Sequence, residues 1–385
     1  MSHFADRLQD IEPFHVMDIL ARARVLESHG HSIVHMEIGE PDFVTPQLVV
    51  QAGIDALQNG CTHYTPASGL PELRRAIAAS YAPIAVNAEA VTVTPGASGA
   101  LQLVFAALIN PGDEVIMADP GYPCNRHFVR LFEGKPVPVP VFADTGYQLT
   151  AELIRRVWTP RTVAVLLASP SNPTGTVVPR DELKRIVEVV KELNGVLVVD
   201  EIYHGLIYDE PVTSALEYSQ HVFVVNSFSK FYGMTGWRVG WLVVPEAYRS
   251  VIHKLAQNLF IASPTMSQYA ALAAFEPQVS EELVKRRDVF RERRDYLLPA
   301  LQNLGFYIPV IPQGAFYLYA DCSRFTEDSY TFTLELLEQA GVAVTPGLDF
   351  GRNEASRYIR FSYANTLENL KEGVRRIQNY LNSGS

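Results

Sequence analysis

The sequence predicts an α/β protein, a large unit with a mainly parallel sheet sandwiched between helices and a smaller α+β unit beside it. Three observations predict it. Between residues 45 and 245, short β-branched runs alternate with longer stretches of helical period, the pattern of βαβ units. Several of these runs, such as VAVLLA from Val163 and VLVVD ending at Asp200, are apolar without alternation, as strands covered on both faces require. Beyond Pro277 a long charged segment is followed by sparse strand signals, and the βαβ pattern stops.

In chain order, strands are expected at 91–94, 114–118, 137–141, 163–168, 196–200, 222–226 and 239–244. Helices are expected between them at 46–58, 71–81, 98–109, 151–157 and 179–193. Pro71 and Pro179 suit a first helical turn, where a missing N–H costs little. A connecting helix is expected at 281–302, then strands at 307–311 and 316–320, a helix at 331–339 and a strand at 358–362. These elements place a large domain at 46–285 and a smaller one at 1–45 together with 286–385.

Composition narrows the function classes. At 385 residues, 48% hydrophobic and 19% charged, the chain is too long for one ordinary core and too apolar for disorder. A net charge of -10 without a polybasic run argues against nucleic acid and anionic membranes as partners. The N-terminus lacks the pattern of a signal peptide, and the apolar runs fall far short of the roughly 20 residues that span a bilayer. Cys61, Cys124 and Cys322 make no CxxC spacing, so a cytoplasmic location is expected and neither disulfides nor a zinc ribbon are. His15, His35 and His204 form no metal-ligand spacing, so no metal site is expected.

Three strand ends carry chemistry. VAVLLA runs into SPSNPTG (169–175), VLVVD ends in Asp200 followed by Glu201, Ile202 and Tyr203, and VFVVN runs into SFSK, ending in Lys230. Ligands of open α/β sheets bind beyond the carboxyl ends of the strands, so Asn172, Asp200, Tyr203 and Lys230 are expected to converge. Earlier, VTVT leads into TPGASGAL (94–101), where Gly96 and Gly99 flank Ala97 and Ser98 as a helix begins. Small residues and free N–H groups at a helix start suit a phosphate, although from this segment alone a plain tight turn is the better reading. A lysine, an aspartate, a phenol, an amide and a phosphate cradle together describe a site for pyridoxal 5′-phosphate.

Seven segments, IGEPDF (38–43), HYTPASGLPELRRAIA (63–78), DPGYP (119–123), SPSNPTG, DEIY (200–203), SFSKFYGMTGWRVG (227–240) and YIRFSYA (358–364), occur in this order and cover most of the chain. In them the sequence resembles the class I and II pyridoxal-phosphate-dependent aminotransferases of fold type I, aspartate aminotransferase-like. The resemblance implies that Lys230 forms a Schiff base with the cofactor and then moves the substrate α-proton, as a desolvated amine beside cationic groups can. It implies that Arg238, Ser227, Ser229 and the amides of Ala97 and Ser98 hold the phosphate. Asp200 is matched to the partner of the pyridinium nitrogen, Tyr203 and Asn172 to the donors on the phenolic oxygen, and Tyr122 to the ring that stacks on the pyridine. Arg360 is matched to the guanidinium that grips the substrate carboxylate, with Gly39 and Asn172 beside it. Tyr64 is matched to a tyrosine that reaches the phosphate of a neighbouring subunit, which implies a homodimer with shared active sites.

The implied activity is amino acid:2-oxo acid transamination with ping-pong kinetics and 2-oxoglutarate or pyruvate as acceptor. The same scaffold also serves carbon–sulfur β-lyases, cyclopropane-forming synthases and non-catalytic cofactor-binding modules of transcription regulators, since fold does not decide reaction. The complete catalytic set and the lack of an appended basic helix-turn-helix segment speak against the last. No residue is matched to the extra arginine of dicarboxylate-specific relatives. Phe14, Tyr317 and Phe350 read as pocket lining or as core.

Overall fold

In the computed structural model, which describes residues 4–209, 211 and 213–383, the apolar runs build one seven-stranded sheet. After a short β1 (Val34–His35) come β2 (Val91–Thr94), β3 (Glu114–Asp119), β4 (Lys135–Pro140), β5 (Thr162–Ala168), β6 (Val196–Asp200), β7 (Phe223–Ser227) and β8 (Gly240–Val243). The sheet order is β2-β8-β7-β6-β5-β3-β4, parallel from β4 to β7, with β8 antiparallel to both β7 and β2. The mainly parallel sheet expected from the sequence is therefore present. Its β4 begins two residues earlier than expected, and KPVPVP is an edge strand. The N–H groups of Lys135 and Val141 bond to Asp113 and Asp119 at 2.8 and 3.0 Å, so in a strand of period two the prolines take the outward positions.

Helices cover both faces, and the runs without alternation follow from that. Along β5, Val165 and Leu167 pack in one core with Leu183, Ile186 and Val190 of α7 (Arg180–Glu192), while Ala164 and Leu166 pack in another with Leu101, Val104 and Phe105 of α4 (Gly96–Leu108). Each fully buried Val or Leu contributes roughly 1.5–3 kcal/mol relative to exposure. The same layers hold α2 (Gln47–Gln58), α3 (Pro71–Ala79), α5 (Pro123–Leu131), α6 (Ala151–Val157), α8 (Arg249–Leu259) and α9 (Thr265–Ala273). Pro71 opens α3 as expected, whereas Pro179 stands just outside α7 as its N-cap.

A second, smaller sheet has the antiparallel order β11-β12-β9, from β9 (Tyr317–Asp321), β11 (Thr345–Pro346) and β12 (Tyr358–Ser362). β10 (Val342–Ala343) pairs in parallel with β1, which ties the N-terminal segment to this part of the molecule. Its core gathers Phe316, Leu318, Ile359 and Phe361 with Leu297 and Leu301 of α10 (Pro277–Leu304) and Ile377 of the C-terminal helix. α10 is longer than expected and ends at Gly305, whose φ of +107° suits a left-handed cap. α11 (Ser329–Glu335) continues through one wide π turn to Ala340.

The strand expected at 307–311 does not form. Only Tyr307 bridges Asp321, because Pro309 and Pro312 remove the donors a ladder needs. The sequence reading assigned no helix to α1 (His15–Ser28), α5, α8, α9 or α12 (Leu367–Ser383).

Candidate active site

The carboxyl ends of β5, β6 and β7 lie side by side in the sheet, and each delivers one expected residue. Asp200 is the last residue of β6, 7% exposed, and accepts a hydrogen bond from the Ile202 amide at 3.1 Å. Burial pushes its carboxyl up to about 6, against the Ile202 N–H and the charge of Lys230. Lys230 follows β7 and donates its Nζ to the Gly39 carbonyl at 2.5 Å. Burial lowers its ammonium to about 8; Glu40 opposes this, and the guanidinium charges of Arg360 and Arg238 add to it.

Arg360 arrives from the smaller sheet, in the middle of β12. Its Nη1 donates to Asn172 Oδ1 at 2.9 Å, and its Nη2 donates to the Glu37 carbonyl at 2.5 Å and to Thr345 Oγ1 at 3.2 Å. The guanidinium lies 4.4 Å from the Tyr317 ring centroid and 4.8 Å from that of Phe350. Tyr317 also meets Tyr203, hydroxyl to hydroxyl, at 2.9 Å, and burial pushes both phenols up. A Cβ on Gly39 would lie 2.6 Å from the Tyr317 hydroxyl, so a larger residue there would have to displace that ring.

At the other end, Thr94 of β2 and Ser227 of β7 both pair with Gly240 of β8, which brings the start of α4 beside the SFSK turn. Ser227 Oγ donates to Ser229 Oγ at 2.9 Å. Arg238, at φ +53°, donates to the Thr235 carbonyl at 3.0 Å. A Cβ on Gly96, itself at φ +71°, would lie 2.4 Å from Arg238 Nη2, and one on Gly240 would lie 3.0 Å from the Ala97 nitrogen. The N-terminus of α4, two hydroxyls and a guanidinium therefore surround a space that glycines keep open, and Ser98 lies in the first turn of that helix.

Tyr122 caps α5 and meets Phe14 edge-on at 6.4 Å, and burial pushes its phenol up. A cavity lined by Asp119, Tyr122, Asn125, Ser171 and Phe350 opens beside it, and its walls include neither Lys230 nor Asp200. Tyr64 is not brought to this site within the chain; it lies between α2 and α3, 80% exposed.

The model of the family described as aminotransferase class I and II matches residues 31–377. The chain belongs to the class I and II aminotransferases. It is 40% identical to a valine–pyruvate aminotransferase of Mycobacterium tuberculosis, over 97% of each chain. It is also 40% identical to a (5-formylfuran-3-yl)methyl phosphate transaminase of Methanocaldococcus jannaschii, over 98% of this chain and 99% of the relative. Among solved structures, an aminotransferase from Mycobacterium tuberculosis superposes with a TM-score of 0.96 at 39% identity over the whole of both chains. Aspartate aminotransferase from Thermus thermophilus with maleate gives 0.93 at 36% identity, over 98% of this chain and all of that one.

This aminotransferase acts on amino acids and uses pyridoxal 5′-phosphate. The residues present fit that group: an anion cradle that a Cβ on Gly96 would fill, a buried carboxyl at the end of β6 and an amine of lowered pKa. The sequence reading missed Glu37 and Thr345, which hold Arg360. Thr345 carries no sequence signal, and Glu37 acts through its backbone carbonyl, which any residue type offers. Tyr317 and Phe350, left between core and pocket, are both buried and both flank Arg360.

Proposed function

We propose that Lys230, Asp200, Tyr203, Asn172, Arg238 and Arg360 perform the transamination, with pyruvate or 2-oxoglutarate as acceptor. One observation carries the reading. The three-residue segment from Glu37 to Gly39 receives Arg360 at one carbonyl and Lys230 at the other, both at 2.5 Å. A guanidinium suited to a carboxylate and a nucleophilic amine are thereby held against a single backbone strut, as positioning of an α-amino acid requires.

Bound pyridoxal phosphate supplies an electron-accepting ring and an aldehyde that takes the amino group from one substrate and gives it to the next. Asp200, buried at the end of β6, would pair with its ring nitrogen. The N-terminus of α4 with Ala97 and Ser98, Ser227, Ser229 and Arg238 would hold its phosphate, and Tyr122 would cover its face. Asn172 accepts from Arg360 at Oδ1, and its Nδ2 and the Tyr203 hydroxyl would donate to the cofactor's phenolic oxygen. Arg360 and the Gly39 backbone would fix the substrate carboxylate, and Lys230 Nζ would then carry the α-proton.

Two copies would share their sites through Tyr64. Its loop is anchored to α9 by Thr265 Oγ1 on the His63 carbonyl at 2.7 Å, and Val44, Leu57, Leu259 and Ile261 are also exposed. The large unit would span 46–285 and the smaller 1–45 with 286–385, a division supported by the separation of the seven-stranded sheet from the β11-β12-β9 sheet and the β1-β10 pair. Unpaired thiols at Cys61, Cys124 and Cys322 support a cytoplasmic location. Among the described residues no helix is long and apolar enough to cross a membrane.

The test is a screen of amino donors, L-valine, L-alanine and L-aspartate first, against pyruvate and 2-oxoglutarate. The amino group should appear on the acceptor without ammonia release, and Lys230→Ala should lower turnover by more than about a thousandfold. Release of ammonia or a thiol in step with donor loss would replace transfer by elimination.

A further inference from the structure

Behind Arg360 stands a line of charges that the reaction as described does not use. His35 donates from Nδ1 to Glu37 Oε1 at 2.8 Å, and its Nε2 lies 3.1 Å from Oε1 of Glu27 on α1. Glu37 is completely buried, and its second oxygen, Oε2, has no hydrogen-bond partner. A carboxylate placed so is a poor choice for stability, because its desolvation is only half compensated and an apolar side chain of similar size would cost less. Its charge is explained by what it holds.

The segment carrying this pair is pinned on both sides. The Val34 and Met36 amides donate to Gly341 and Ala343 at 2.9 Å, and the Met36 carbonyl accepts from the Ser362 amide at 2.7 Å. The His35 carbonyl accepts from Asn365 Nδ2 at 2.9 Å. Two residues apart in extended chain, His35 and Glu37 project to the same side. Past Met36 these bonds stop, and the Glu37 and Gly39 carbonyls turn to Arg360, Thr345 and Lys230. The last fixed point before them is the Glu37 side chain.

Resting on the carboxylate-binding role of Arg360, we propose that Glu37 and His35, backed by Glu27, are positioning residues that hold the Glu37 carbonyl, and through it the Arg360 guanidinium, in the substrate-ready position. Burial of the pair and the two carboxylates raise the stakes of the imidazolium charge: hydrogen bonding to Glu37 above all lifts His35 to about 9, against desolvation and with help from Glu27. The other charged groups at this segment are engaged elsewhere. From α12, Arg376 binds Glu372 and the Ser32 carbonyl, and from β12 Arg360 binds the backbone carbonyl of Glu37 together with Asn172 and Thr345. Since the pKa is raised, the pair is at full strength below the ordinary histidine value near 6.5 and is lost as pH rises through about 9.

The experiment compares the cofactor-loaded enzyme with Glu37→Gln, His35→Gln, the double variant and Arg360→Lys. It measures kcat, KM for donor and acceptor, and competitive inhibition by propanoate, a carboxylate without an amine to titrate. Glu37→Gln should raise both KM values and the propanoate inhibition constant roughly tenfold, less than the hundredfold that a 1 Å misplacement can cost, with kcat changed less than about twofold. The double variant should be no worse than the worse single one, since the two residues act as a unit. Propanoate should weaken above pH 9 for the parent enzyme and show no such limb for His35→Gln. If Glu37→Gln does not fold, His35→Gln, at a partly buried position, carries the same comparison. If Arg360→Lys raises KM while both other variants stay within twofold of the parent, the positioning role is overturned and the Arg360 assignment stands. If Arg360→Lys itself leaves KM unchanged, the carboxylate assignment falls and takes this inference with it.

Discussion

Arg360 lies inside a strand, 2% exposed, with three acceptors and two aromatic rings around its guanidinium. Arg238, some 120 residues earlier in the chain, is exposed, sits at φ +53° and donates to one nearby carbonyl, that of Thr235. Both are proposed to bind an anion, and the molecule prepares them differently. At the Arg360 end the charge is fixed in advance by side chains and carbonyls from four segments, so little ordering remains when a carboxylate arrives. At the Arg238 end the protein supplies space, a helix N-terminus and glycines, and a phosphate with its own two charges supplies the rest. A ligand that comes and goes every turnover meets the rigid end; one that stays meets the end that is completed by its binding.

The largest effect that can break this contrast is Arg360→Lys. Loss of the planar fork should lower kcat/KM about a hundredfold, mostly through KM, with the cofactor still bound, as measured by steady-state kinetics and visible absorbance. Equal loss of cofactor would show that the two ends are one structural unit. Next in size is the pH dependence of cofactor capture by the apoenzyme. Lys230, lowered to about 8 first by burial and then in part by both arginines, is a free amine above that pH, so capture should slow roughly tenfold per unit below it. Stopped-flow rates that stay level from pH 6.5 to 9 would refute that tuning. The smallest is Gly96→Ala, where a Cβ would lie 2.4 Å from Arg238 Nη2 at φ +71°. Here the dissociation constant for pyridoxal phosphate should rise by about tenfold or less, since the exposed guanidinium can shift, and KM at saturating cofactor should not change.

How far the molecule could be read in advance follows the same divide. Asp200, Asn172 and Lys230 stand at the ends of continuous apolar runs, and because both faces of the sheet are covered those runs announced themselves as strands. The glycines around Ala97 and Ser98 marked the helix start for the same local reason. Arg360 was different: in an alternating strand its residue type says nothing of burial, and it came to notice only through the family resemblance. Glu37, Thr345 and Tyr317 act through contacts across 15 to 323 residues of chain, which no local pattern encodes. Among the elements, 307–311 misled because a β-branched run outweighed Pro309 within it and Pro312 just after it, and α9 lacks a clear apolar stripe because Ser267 and Gln268 are buried with Ala270 and Ala271.

The proline-bearing edge strand has a consequence for the life of the chain before and after folding. Pro136, Pro138 and Pro140 leave β4 with no outward N–H along its whole length, so an unpaired strand from another copy finds acceptors but no donors there. The opposite edge, β2, is already occupied: the Val93 amide donates to the Ser68 carbonyl at 2.9 Å. A seven-stranded sheet rich in valine and leucine is a natural template for fibrous stacking. Here one margin has lost half its bonding groups and the other is covered by the chain's own loop, so copies of the protein can meet face to face without joining sheet to sheet.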